Sequence, residues 1–389
     1  MFTVDTYLPT RIVLGAGRLD ELKDLELPGK KALICTTSGK SVKESGLLGR
    51  VEKLLDENGT EHALYDKFMP NPTKSAVEAG VKAAEENGCD FVIGLGGGSS
   101  IDGAKAIAIM MKSPGDLWDY GYTGTGGQKD VPEAAPVVAI TTTCGTGTEA
   151  DQYSVITNEE TTEKLDFTCD AIFPAISIID PELIKSLPRN LTIFQGFDAL
   201  FHAAECYVTN RHENRMVDLY AKESVKTVAE NLVKVVNDGN DMEARCNMAF
   251  AADILSGYCM TMVSTTSHHI LAQTLGGMYP TFPHGACLIS VCEAYYTHAC
   301  RLEPELFDEL GEIMGVSADP EKPGYAFVQA LIDLMEATDA RYLKMSDYGV
   351  KEEDFKAITD MTTHQVGIAW EHYKLTDDDF MEILADSFR

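Results

Sequence analysis

Four residues in the second half of the chain have the chemistry to hold a metal cation together. The stretch GFDALFHAAE (196–205) sets Asp198 and His202 four residues apart, hence on one face of a helix and one turn apart. The rest of that stretch reads as buried helix, where a carboxylate and an imidazole are costly without partners. Two later histidines supply further candidates. His269 stands in TTSHHILAQTLGG, a mostly uncharged run, and His284 in YPTFPHGACLIS, between a proline and a glycine. One carboxylate and three imidazoles in apolar settings suit a first-row divalent cation such as Fe2+ or Zn2+. His268 competes with His269 for its place. A local Asp198–His202 hydrogen bond without any metal is the alternative for that pair.

Three loops in the first half have the chemistry to hold a dinucleotide. LGGGSSIDGAK (95–105) ends one apolar run and opens a helical one, so its glycines let backbone approach an anion at a helix N-terminus. It is neither the GxGxxG fingerprint nor a phosphate loop of the GxxxxGK[ST] type, and a plain strand-to-helix turn is the competing reading. TTTCGTGTEAD (141–151) follows another apolar run and carries hydroxyls able to bond phosphate or ribose; a polar loop with capping threonines is its alternative. In TTSGKSVK (36–43) no acid precedes Glu44, where sites for NAD commonly place one to hold the ribose 2′-hydroxyl. Ser38, Gly39, Lys40, Ser41 and Lys43 offer donors for a 2′-phosphate instead, which favours NADP over NAD.

The elements that must position these residues fall into two halves. Short apolar runs at 30–38, 90–98 and 136–143 alternate with amphipathic helical patterns such as SAVEAGVKAAEENG (75–88), the rhythm of a parallel sheet with helices on its faces. Beyond about residue 185 the periodicity is helical throughout, including one long run from Met242 to Leu275. The segment IIDPELIKSLPRNLT separates the halves, giving an α/β dinucleotide-binding domain over 1–185 and an all-helical metal-binding domain over 186–389. A chain of 389 residues suits two such cores. Its net charge of −29 argues against nucleic acid and acidic membrane surfaces as partners. No apolar run approaches a membrane span. Ten cysteines scattered in apolar contexts, with no CxxC pair, and an opening segment unlike a secretory signal point to a reduced, cytoplasmic setting.

GGGSSIDGAK, TTTCGTGTEA, GFDALFHAAECYV and HHILAQTLGGMYPTFPHG, in this order, resemble the iron-containing (group III) alcohol dehydrogenase family. PNPT (70–73) and AISIIDPELIKSLP agree with it. The resemblance implies the family's fold, shared with dehydroquinate synthases: an N-terminal dinucleotide-binding domain, a helical C-terminal domain, and a metal in the cleft between them. It implies Asp198, His202, His269 and His284 as metal ligands and catalytic centre, its register choosing His269 over His268. Gly97, Gly98 and Ser99 would hold the pyrophosphate, with Asn71, Asp102, Thr142, Thr146 and Lys164 lining the cofactor, while TTSGKS is similar to NADP-dependent members. The implied reaction is metal-dependent hydride transfer between NAD(P)H and a small aldehyde or alcohol, with iron or zinc as Lewis acid. A homodimer is the expected assembly.

One position departs from the family. Where many members carry a histidine four residues beyond the third ligand, this chain has Gln273, which hydrogen-bonds but does not trade protons near neutrality. Proton transfer would then fall to water, the ribose hydroxyls or another side chain. Three rival readings share the scaffold: a polyol dehydrogenase of the glycerol type, a transhydrogenase that retains its nicotinamide, and a non-catalytic metal- or nucleotide-binding protein. The intact set of four ligands weighs against the last.

Overall fold

The computed structural model describes residues 2–366 and 371–389. Two compact units divide it: Leu8–Ser186, and Leu187–Arg389 joined by Met1–Tyr7. The amino-terminal segment, expected with the α/β half, thus groups with the helical unit, where Thr3 bridges Asn214.

In the α/β unit six strands form one parallel sheet: β1 (Arg11–Leu14), β2 (Lys31–Thr37), β3 (Glu61–Phe68), β4 (Phe91–Gly96), β5 (Val137–Thr141) and β8 (Ile176–Ile179). Their order is β1-β8-β5-β4-β2-β3. The central strands β4 and β5 are buried at every residue, as expected of runs without polar alternation that are covered on both faces. Helices of eight or more residues are numbered here, the first three being α1 (Leu47–Asn58), α2 (Lys74–Asn87) and α3 (Gly98–Met110). Thr73 caps α2 by accepting the Ala76 N–H, and left-handed glycines Gly59 and Gly88 end α1 and α2. Val51, Leu54 and Leu55 of α1 pack with Ile34, Ile93, Val138, Ile140 and Ile178 into one core.

A hairpin of β6 (Tyr153–Thr157) and β7 (Lys164–Thr168) is an addition to the expected scheme. KLDFT alternates polar and apolar residues and buries Leu165 and Phe167, whereas in YSVIT the fully buried pair is Ser154 and Ile156, with the Ser154 hydroxyl donating to the Asp102 carbonyl on α3. The strand order matters most for function. The chain runs from β2 outward to β3, then crosses back to place β4 on the other side of β2. That reversal is a topological switch point, and ligands of open α/β sheets bind at the carboxyl ends of the strands flanking it.

The second unit is helical: α4 (Arg189–Asn210), α5 (Arg215–Asn237), α6 (Met242–Ala249), α7 (Ser267–Met278), α8 (His284–Ala299), α9 (Pro304–Ile313), α10 (Tyr325–Ala337) and α11 (Asp377–Ser387). The run expected to be helical from 242 to 275 is interrupted. After α6 comes a π-helical turn at Phe250–Ser256 and a short helix ending at Met260, and the chain then leaves helical geometry before Thr266 caps α7. The β-branched and hydroxyl residues of TMVSTT explain the break, since they lose rotamer freedom in a helix and favour caps. No helix among the described residues is long and apolar enough to cross a membrane.

Candidate active site

Asp198, His202 and Glu205 lie at i, i+4 and i+7 of α4, one face of a helix buried along nearly its whole length. Gly196 lets this helix approach α5, since a Cβ there would stand 2.2 Å from Leu232. His284 opens α8 directly after Pro283, and Gly285 brings that first turn against α4: a Cβ on it would fall 2.2 Å from the Phe194 carbonyl oxygen. His269 comes from the first turn of α7.

The four sequence candidates meet at Asp198: Asp198, His269 and His284 place ligand atoms within 4.8 Å of one another, and His202 joins them through Asp198 and by stacking on the His269 ring. Asp198 Oδ1 lies 3.7 Å from His202 Nε2, 3.5 Å from His269 Nε2 and 3.6 Å from His284 Nε2. These separations exceed a good hydrogen bond. Among the described residues Asp198 Oδ1 and His269 Nε2 are buried without a hydrogen-bond partner, an arrangement that costs on the order of 1–3 kcal/mol per group. A cation among these atoms would satisfy both. The set is open on one side: the His284 side chain is 25% exposed, against 4% for His269.

Charge at the site calls for a cation. Burial pushes the Asp198 carboxyl upward, but the His202, His284 and His269 imidazoles outweigh it and hold the group at about 2. Burial pushes His269 downward, yet Glu205 and then Asp198 raise it to about 9. The field that keeps a proton on His269 would equally hold a divalent ion, and the two compete. Metal affinity is therefore expected to rise by up to about tenfold per pH unit from pH 6 to about 9, because His269 must release its proton to bind. A titration of stripped protein with Mn2+ at several pH values checks this; a flat profile over that range would remove the competition.

The structure also separates the adjacent histidines. His268 has both ring nitrogens engaged, Nδ1 with Glu205 at 2.8 Å and Nε2 donating to the Leu288 carbonyl at 3.1 Å. His269 has Nδ1 on Glu205 at 2.7 Å, leaving Nε2 toward Asp198. Glu205 is the residue that reading the sequence missed. Its signal was available as a third polar residue on the Asp198–His202 face, seven positions after the aspartate. Gln273 is half-buried one turn beyond His269 on α7.

In the α/β unit, Ser38–Ser41 and Gly97–Ser99 occupy the carboxyl ends of β2 and β4, the two strands flanking the switch point. Asn71 donates its backbone N–H to Ser99 Oγ at 3.3 Å and accepts from Lys164 Nζ at 3.0 Å, so these three candidates form one cluster. Thr142 follows β5 and donates its N–H to the Gly96 carbonyl at the end of β4, which places it beside the glycine loop. Gly98 is required by close approach, since a Cβ there would meet Thr146 Cγ2 at 2.7 Å. Asp102 stands apart. Its two oxygens accept from Thr148 Oγ at 2.7 Å and Val155 N at 3.2 Å, which makes it a tie between α3 and the hairpin rather than a free acceptor. Lys40 is 83% exposed beside Glu44, whereas Lys43 is committed to Asp66 on β3, an acid outside the TTSGKS loop.

Known proteins resemble this chain over both of its halves. A family model described as iron-containing alcohol dehydrogenase matches residues 9–181, and one for the C-terminal region of that family matches 192–388. Alcohol dehydrogenase 4 of Saccharomyces cerevisiae is 35% identical over 92% of this chain and 91% of its own. The NAD-dependent methanol dehydrogenase of Bacillus methanolicus is 32% identical over 90% and 91%. The solved structure of an archaeal halo-thermophilic Red Sea brine pool alcohol dehydrogenase superposes with a TM-score of 0.92 at 30% identity, covering all of both chains. With both family models matched end to end and relatives of this identity along its length, the chain belongs to the iron-containing alcohol dehydrogenase family.

Proposed function

We propose that Asp198, His202, His269 and His284 hold a divalent cation, iron or zinc, and that NADPH reduces a small aldehyde beside it. The chain is a metal-dependent alcohol dehydrogenase, and family membership implies iron and a nicotinamide dinucleotide. The observation that carries the ligand set is the convergence of three imidazole Nε2 atoms on Asp198 Oδ1 within 3.5–3.7 Å, with buried atoms left unsatisfied. When bound, the cation supplies Lewis acidity toward the carbonyl oxygen, so that the carbon accepts hydride.

The protein's own residues do the rest. Asp198 balances part of the cation's charge, His202 and His269 stack at 4.5 Å to close the buried side, and His284 borders the open one. Ser99, Asn71 and Lys164 present donors at the helix N-terminus where the diphosphate would lie. In the reduction, one hydride from the nicotinamide and one proton from solvent convert the aldehyde to the alcohol. Gln273 can orient a water for that proton but cannot supply it.

The preference for NADP rests on Lys40, Ser38 and Ser41, exposed at the end of β2, with the nearby Asp66 already neutralised by Lys43. The test is oxidation of NADPH and NADH by propionaldehyde, using stripped protein before and after anaerobic Fe2+ or Zn2+. Turnover is expected only with metal and faster with NADPH, and Lys40→Asp is expected to lower the NADPH/NADH ratio of kcat/KM at least about tenfold, since a carboxylate repels the 2′-phosphate. Activity indifferent to metal would remove the ligand set, and an unchanged ratio in Lys40→Asp would remove the NADP reading. A cytoplasmic homodimer is proposed alongside, from the free cysteines and the prevalence of twofold assemblies. Sedimentation at the mass of one chain would exclude the dimer, and a disulfide in protein trapped from intact cells would count against the compartment.

A further inference from the structure

We propose that Glu205 is a positioning residue for the metal centre, fixing the His269 ring so that its Nε2 faces the cation. The inference rests on the ligand set proposed above and adds a residue that does not itself touch the metal.

Glu205 is fully buried, and four kinds of donor fix its carboxylate. Oε1 receives Nδ1 of His269 at 2.7 Å, Nδ1 of His268 at 2.8 Å and the Tyr296 hydroxyl at 3.3 Å. Oε2 receives both the N–H and the hydroxyl of Thr266, at 2.8 and 2.9 Å. The carboxylate therefore has no freedom to rotate. A charged acceptor on Nδ1 keeps the hydrogen there, leaves the Nε2 lone pair for the cation and raises its basicity. His268 is anchored at its other end by the Leu288 carbonyl, so it braces the same oxygen without competing for the metal. The same carboxylate also caps the start of α7, the helix that carries His269. One side chain on α4 thus sets both the place of that helix and the turn of the ring, while its helix neighbours Asp198 and His202 supply ligands directly.

The competing explanation is that Glu205 only caps α7 and satisfies a buried histidine. Binding of Co2+ to the stripped full-length protein, read by competition with a chromophoric chelator and by the visible absorption of the bound ion, separates the two. Glu205→Gln keeps the size and an acceptor for Thr266 but weakens the hold on His269, and a 10- to 100-fold loss of affinity with an altered spectrum is expected. Thr266→Val removes the hydroxyl that caps the His268 N–H and one of the two Thr266 donors to Glu205, but leaves the His269 Nδ1–Glu205 contact in place, and it is expected to stay within about threefold of the wild type. Should Glu205→Gln fail to fold, Glu205→Asp withdraws the carboxylate while keeping its charge, and a loss of about tenfold or more is expected. Wild-type affinity in the folded Glu205 variant, or an equal loss in Thr266→Val, overturns the proposal. His269→Ala is the control for the ligand set: if it binds Co2+ as the wild type does, or the wild type does not bind, the ligand set fails, and this inference with it.

Discussion

Asp198→Ala protein is expected to lose tight binding of Fe2+ or Zn2+ and, with it, about a thousandfold or more of turnover. A Lewis-acidic cation contributes several kcal/mol to stabilising charge on a carbonyl oxygen, and each ~1.4 kcal/mol is a factor of ten in rate. Asp198 is the sole carboxylate among the four candidates and the point on which the three Nε2 atoms converge. Its loss leaves three imidazoles with no carboxylate oxygen among them to bind an ion, since Glu205 is committed to the Nδ1 atoms of His268 and His269. His284→Ala is expected to have the same consequence, although His284 is the most exposed of the set, because the remaining three donors would leave the open side uncoordinated. Metal content by elemental analysis and single-turnover hydride transfer check both. Full activity in either variant sinks the assignment. The metal-free proteins carry a second signature. In the wild type, the contribution of Asp198 is present above its ordinary range and lost as pH falls through about 2. That of His269 is present below about 6.5 and lost as pH rises through about 9. Stripped wild-type protein should thus be most stable between about pH 4 and 6.5 relative to Asp198→Ala, with the advantage shrinking in alkali.

The residues that made this site legible in the sequence were those whose type is expensive in an apolar setting. Asp198 and His202 stand out because their helix is otherwise buried, and spacing alone puts them on one face. His269 and His284 carry the same cue, but their approach to Asp198 depends on how α7 and α8 pack on α4. That packing hangs on Gly285 and on a Thr266 cap rather than on any periodicity. The choice between His268 and His269 was beyond spacing, because it turns on which ring has a carbonyl, that of Leu288, within reach of Nε2. In the α/β half the strands at the ends of apolar runs were readable, whereas the β6–β7 hairpin and the role of Asp102 were not. A carboxylate after a glycine loop reads as a ligand group until one sees Thr148 and Val155 donating to it.

Lys105 was invisible for the same reason, and its replacement should be the most destabilising single change in the α/β unit. Its ammonium is completely buried on α3 and donates to Thr148 Oγ at 2.8 Å, to Asp151 Oδ1 at 3.0 Å, and to the carbonyls of Asp151 and Tyr153 at 2.9 Å. It is thus the pin that holds the 141–153 loop, with Thr142 and Thr146, against the helix that starts at Gly98. Lys105→Met keeps the apolar stem but strands Asp151 and Asp102 as buried carboxylates with no cation, a loss of about 3–5 kcal/mol. Burial already pushes Asp102 to about 6 with Lys105 beside it, so removing the ammonium drives it higher still. The sign of the pH effect follows. A carboxyl raised in the folded state costs stability wherever the unfolded chain would be ionised, so the deficit of Lys105→Met should be greatest near neutrality. It should shrink as pH falls from 7 toward 5, where the stranded groups take up protons. Asp151→Asn, which leaves Lys105 with its carbonyls and the nearby Asp102, should cost only about 1–3 kcal/mol. Urea unfolding of the three proteins at pH 7 and pH 5 decides the matter. A Lys105→Met deficit under about 1 kcal/mol, or one that grows in acid, would mean that the buried ammonium is not what holds the loop.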